Sequence, residues 1–87
     1  MKTFWAIGKG GSRDTYLTTL PHEFGAGEFT EGIDIDSNQV IRFGSYDEAM
    51  KVANRVMSKG DACFSVVIFR ANPVYSFSRI ATLHGDD

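Results

Sequence analysis

The sequence holds a single cysteine, Cys63. An internal disulfide is therefore excluded, and nothing points to an oxidising compartment. No apolar run approaches the roughly 18–20 residues that a membrane-crossing helix needs. The opening, MKTFWAIGKGGS, carries Lys2 but only a short apolar stretch, too little for the core of a signal peptide. A cytoplasmic location is the expectation, with no membrane among the partners. Only two histidines, His22 and His84, accompany Cys63, and the three are too scattered for a structural zinc site. They do not pair a nucleophile with a base either. Cys63 lies among apolar residues, where a free cysteine is most simply a small buried hydrophobe.

Basic residues are missing from one long stretch. Between Arg13 and Arg42 there is no Lys or Arg, while Asp14, Glu23, Glu28, Glu31, Asp34 and Asp36 give that stretch a net charge of −6. The remainder holds all nine basic residues against five acids, and the whole chain carries −2. A chain segregated in this way can present one acidic and one basic surface. The plainer alternative is that these charges only decorate solvated faces.

What is present suits a packed globule. A hydrophobic fraction of 43% with 13% aromatics excludes disorder of the whole chain. At 87 residues there is room for one domain, taken as 1–87, with one core and modest stability.

Thr3-Phe-Trp-Ala-Ile7 is β-branched and aromatic and reads as a first strand. Gly8-Lys-Gly-Gly-Ser12 suits a tight reversal, and Tyr16–Leu20 reads as the returning strand, stopped by Pro21. From Pro21 to about Asn38 the pattern loosens, and connections this long are often functional. Phe29, Ile33 and Ile35 share a parity that allows a short strand around 29–35. Gln39–Phe43 reads as a further short strand.

The next junction carries the clearest local signal. Ser45 followed by Glu48 makes a capping box, and Asp47 and Glu48 suit the positive end of a helix dipole. Ala49, Val52, Ala53, Val56 and Met57 then recur at helical spacing, with Asp47, Lys51, Asn54, Arg55 and Ser58 opposite. Gly60 can close the helix. Ala62–Arg70, apolar on both parities, reads as a central strand, Asn72-Pro73 as a turn, and Val74–Leu83 as a last half-exposed strand. In that strand Arg79 shares a parity with Phe77, Ala81 and Leu83, as an inward charge guarding a sheet edge or an ion-pair partner would. The fold class expected is α+β: a four- or five-stranded, mainly antiparallel sheet with one helix, about 46–58, packed on one face.

Three patterns invite a chemical reading. Gly8–Ser12 lacks the spacing and the following helix that a phosphate-binding loop requires, which leaves a hairpin loop. Asp34-Ile-Asp-Ser-Asn38 opens like a calcium loop. However, Gln39 stands where the turn glycine belongs and Ser45 where the bidentate glutamate belongs, which favours an Asx-type turn. Trp5, Tyr16, Phe64, Phe69, Tyr75 and Phe77, with Arg42, Arg70 and Arg79 on neighbouring strands, could form a stacking platform for single-stranded nucleic acid. Core packing competes for most of those rings. No constellation supports acid–base catalysis, and neither an enzyme nor a cofactor is expected.

The run Val40-Ile-Arg-Phe-Gly-Ser-Tyr-Asp-Glu-Ala49, preceded by a hairpin with a Tyr-Leu-Thr strand, resembles the small orphan accessory proteins of tailed phages and prophages. Those proteins place a Phe-x-Ser-x-x-Glu-Ala junction between strand and helix, and the likeness spans about residues 3–70. The resemblance implies a non-enzymatic accessory role, often the binding of a host protein, inhibition of a defence nuclease included. It assigns no functional residue.

The function expected is thus a protein-binding accessory or inhibitor domain. Its contact surface is the acidic connection, with Glu23, Glu28, Glu31, Asp34 and Asp36 as charges and Phe24 and Phe29 as aromatic anchors. The partner is a host protein with a basic surface. A small nucleic-acid-binding module is the alternative, set back by the overall acidity.

Overall fold

The computed structural model describes residues 3–23, 25, 27–59, 65–72 and 77–84. Strands β1 (Phe4–Lys9) and β2 (Thr15–Thr19) form an antiparallel hairpin. Asp14 closes its turn with φ at 52°, a left-handed conformation that Asp tolerates better than most residues. The Gly10 amide donates to the Ser65 carbonyl at 2.8 Å, so the hairpin tip rests against the chain entering β4. Strand β3 (Glu28–Glu31) pairs with β2, β4 (Ser65–Ala71) with the other side of β1, and β5 (Phe77–His84) with β4. The sheet has five strands in the order β3-β2-β1-β4-β5, antiparallel throughout. The α+β class is as the sequence predicts.

Helix α1 (Tyr46–Lys59) lies over β1, β4 and β5. The Glu48 amide donates to Ser45 Oγ at 3.2 Å, and Glu48 Oε2 accepts from the Gly44 amide at 3.0 Å rather than from Ser45 itself. Both side chains of the expected capping box are thus engaged, with the return bond one residue earlier. Ala49, Ala53 and Val56 are fully buried, while Asp47, Lys51, Asn54, Arg55 and Ser58 face solvent. Two alanines four residues apart let the helix axis approach the sheet closely.

The sheet carries a core on each face. On the helix side, Ile7, Leu17, Phe43, Val66 and Ile68 join the helix stripe. On the other, Ala6, Tyr16 and Ala71 pack with Ile35 and Val40, and Phe4, Ile33 and Phe69 border them. The second face is therefore roofed by the 33–40 segment.

Residues 39–43 do not form the expected strand. Ile41 donates to the Leu17 carbonyl of β2 at 3.1 Å, whereas Phe43 exchanges bonds of 2.8 and 2.9 Å with Trp5 of β1. Residues two apart in a strand send their backbone groups to the same neighbour. Here they serve opposite neighbours, so the segment is a wedge between β1 and β2, with one bridge at Phe43. Val40 faces the second core, and Ile41 and Phe43 face the first. Its apolar run reflects burial between two strands, not a ladder. The short strand expected around 29–35 is present as β3, starting one residue earlier and ending at Glu31.

Strand β5 also departs from simple alternation. Ile68 faces Ala81 and Phe69 faces Arg79, so Ile80 is an extra, bulged residue, 40% exposed. A bulge reverses the parity beyond it. Ala81 and Leu83 therefore pack under the helix, while Arg79 stands opposite Phe69 on the far face and is exposed. The expectation of an inward Arg79 in line with Ala81 and Leu83 is corrected by this one residue.

Candidate functional site

The acidic residues occupy three neighbouring stretches of chain. Glu23 lies in the β2–β3 connection, Glu28 and Glu31 terminate β3, and Asp34 and Asp36 follow in the roof segment. All five are exposed. Strand β3 is an outer strand, held to β2 by a ladder with a bulge at Thr18 and by a 2.8 Å bond between the Thr18 and Thr30 hydroxyls. Gly27 shapes its entry. With φ at 84° it passes so close to the Thr19 carbonyl that a Cβ would collide with it.

Two cations approach this region from outside the acidic stretch. Lys59 Nζ donates to the Glu23 carbonyl at 3.2 Å, and Arg42 to the Asp36 carbonyl at 3.0 Å. Both serve backbone oxygens instead of carboxylates. Phe29 faces Leu17 across the β2–β3 pair and packs, half-buried, against the helix-side core. Phe24 lies outside the described residues, as do Gly60, Cys63, Phe64 and Tyr75.

The calcium-like stretch forms ordinary turns. Ser37 N donates to the Asp34 carbonyl at 2.9 Å, and Gln39 N donates to Ser37 Oγ at 3.2 Å. The side chain that holds the turn belongs to Ser37, not to an Asx residue as the sequence reading had it. Among the described residues, no three His, Cys, Asp or Glu side chains come together as a metal site would require.

The three arginines grouped by the nucleic-acid alternative are dispersed. Arg42 sits in the wedge, its guanidinium 4.4 Å from the centroid of the Phe4 ring. Arg70 is on β4 opposite Trp5, and Arg79 is on the far face of β5. Trp5 packs with the helix-side core, whereas Tyr16 and Phe69 belong to the second face.

Reasoning from sequence missed a cleft on the face away from the helix. Residues 12–16 of the hairpin, Phe69 and Arg79 line about 250 Å³. Tyr16 is only 4% exposed, and its ring meets that of Phe69 edge-on at 5.8 Å. Burial, and after it the charges of Asp14 and Asp34, raises the Tyr16 phenol above its ordinary 10.0, so it remains protonated at neutral pH. Gly8 permits the ring pair, since a Cβ there would lie 2.6 Å from Phe69 Cε2. The bulge that brings Arg79 to this cleft leaves no sequence signal.

Compared with known proteins, the chain matches no family model, no curated protein and no solved structure. No helix among the described residues is long and apolar enough to cross a membrane.

Proposed function

We propose that the chain is a non-enzymatic protein-binding accessory or inhibitor domain, working in the cytoplasm of a bacterial host and meeting a basic partner surface through its acidic flank. The observation that carries this reading is that Glu28, Glu31, Asp34 and Asp36 are all exposed along one outer strand and the segment that follows it. Charges on an outer strand deter sheet-to-sheet aggregation, which accounts for Glu28 and Glu31. That explanation stops at the end of β3 and leaves Asp34 and Asp36 unaccounted for. An acidic flank speeds encounter with a basic partner and orients it. The resemblance to phage accessory proteins is consistent with a host protein in that role.

The test is affinity capture from a bacterial lysate, with and without nuclease, using the parent and a Glu28→Lys/Glu31→Lys/Asp34→Lys variant. A protein retained by the parent after nuclease treatment and lost by the folded variant supports the reading. Equal retention by both removes it, and recovery of nucleic acid alone favours the alternative module.

A further inference from the structure

We propose that the cleft between the β1–β2 hairpin and the β4–β5 pair is a binding site for a nucleoside 5′-phosphate. The cleft residues are distinct from those of the acidic flank. The chain carries −2 overall, and residues 14–41 hold no Lys or Arg, yet this cleft is lined by Arg13 and Arg79 against Asp14, with Asp34 near enough to act on the Tyr16 phenol. Among its lining residues cations thus outnumber carboxylates, the reverse of the chain as a whole.

Arg79 reaches the cleft only because Ile80 is bulged. Without the extra residue it would share a face with Ala81 and Leu83, under the helix. A bulge disrupts the ladder, and here it also leaves an isoleucine 40% exposed. Bulges commonly re-aim a side chain beside a site, and the re-aimed side chain in this case is a cation.

The remaining lining completes the recognition. Two guanidiniums present more N–H donors than the two oxygens of a carboxylate can use together, whereas a phosphate monoester offers three acceptor oxygens and close to two charges. Ser12 adds a hydroxyl donor. The partly exposed Phe69 ring, backed by the buried Tyr16, supplies an apolar wall against which a flat base can lie. Asp14 would repel a bare anion, but it can accept hydrogen bonds from sugar hydroxyls. At about 250 Å³ the cleft is too small to enclose a whole nucleotide, so the phosphate and one face of the base would lie in it while the rest stays in solvent. The nucleotide can be free or the 5′-phosphorylated end of a strand.

The experiment is an amide NMR titration of the labelled chain with adenosine monophosphate, a 5′-phosphorylated tetranucleotide, adenosine and inorganic phosphate. Saturable shifts at residues 12–16, 69 and 79 with either phosphorylated nucleotide are expected, with adenosine and inorganic phosphate each about tenfold weaker or more. Tighter binding of the tetranucleotide assigns the ligand to strand ends, and tighter binding of the monophosphate to the free nucleotide. Arg79→Ala and Arg13→Ala, both at exposed positions, should each weaken binding about tenfold while the melting temperature holds. The proposal is overturned if neither nucleotide gives saturable shifts by about 10 mM, a concentration weaker than ordinary specific binding. Inorganic phosphate matching the nucleotides, or an Arg79→Ala chain that binds like the parent, overturns it equally.

Discussion

The Phe69 ring reaches Tyr16 across Gly8, meeting it edge-on with centroids 5.8 Å apart and planes at 67°. Tyr16 faces Gly8 in the ladder, and Phe69 comes diagonally from the strand on the other side. The glycine leaves the space that the ring fills, and the ring covers backbone that a side chain would otherwise protect.

Gly8→Ala should therefore destabilise the fold by about 1–3 kcal/mol, the usual cost of overpacking a filled site. Urea denaturation reads this directly. Phe69→Leu on the same background should recover part of the loss, because the two changes share one contact and couple. A Gly8→Ala chain as stable as its parent would mean that the ring moves aside at no cost.

Tyr16 gives the fold a sensitivity to alkali. Its folded pKa is raised above the ordinary 10.0, so the native state holds its proton more tightly than the unfolded chain does. The stability this provides is complete below about pH 10 and is lost as pH rises through the folded value. Tyr16→Phe should flatten the fall in stability above pH 10, measured by denaturation across that range. Asp34→Asn should move the Tyr16 titration back towards its ordinary value, seen in tyrosinate absorbance, because Asp34 contributes to the shift.

At the start of α1, Ser45→Ala should cost about 0.5–2 kcal/mol by leaving the Glu48 amide without its cap. Glu48→Ala removes the separate bond to the Gly44 amide, so the double variant should lose more than either single one. Val56→Asp is the sharper change, since Val56 is 0% exposed and an unpaired carboxylate there should largely prevent folding. Circular dichroism with urea titration ranks the four chains, and any other order would displace the cap geometry.

Much of this fold was legible because the helix and the paired strands obey local rules. The stripe from Ala49 to Met57, the Ser45 cap and the two-sided apolar run of β4 each carry their own periodicity. Two features escaped that logic. Val40 to Phe43 is as apolar as a strand, but its backbone divides its bonds between Leu17 and Trp5, a choice made by the splay of β1 and β2. Arg79 was placed on the wrong face because alternation has no way to announce a bulge at Ile80. The cleft went unseen for the same reason, as its two cations lie far apart in sequence and line one cleft only through that bulge. The acids of the flank were visible as a charge gap, while the cations that reach it, Lys59 and Arg42, come from outside the stretch.

The acidic flank yields a prediction in which stability and binding part company. Phe29 packs against the helix-side core opposite Leu17 and is half-buried. Phe29→Ala should therefore cost stability, about 1–3 kcal/mol, less than the 3–5 expected of a fully buried ring. The exposed carboxylates behave oppositely. Glu28, Glu31, Asp34 and Asp36 repel one another along one short stretch, so neutralising Glu31 and Asp34 together as Gln and Asn should leave the melting temperature unchanged or slightly higher. The same double change should slow association with a basic partner and reduce its salt dependence, because long-range attraction is the part of binding that ions screen. Stopped-flow association at low and high salt, set beside thermal melts, separates the two effects. If the double variant melts much earlier than the parent, or binds with an unchanged rate and salt slope, the carboxylates serve the fold and not an encounter.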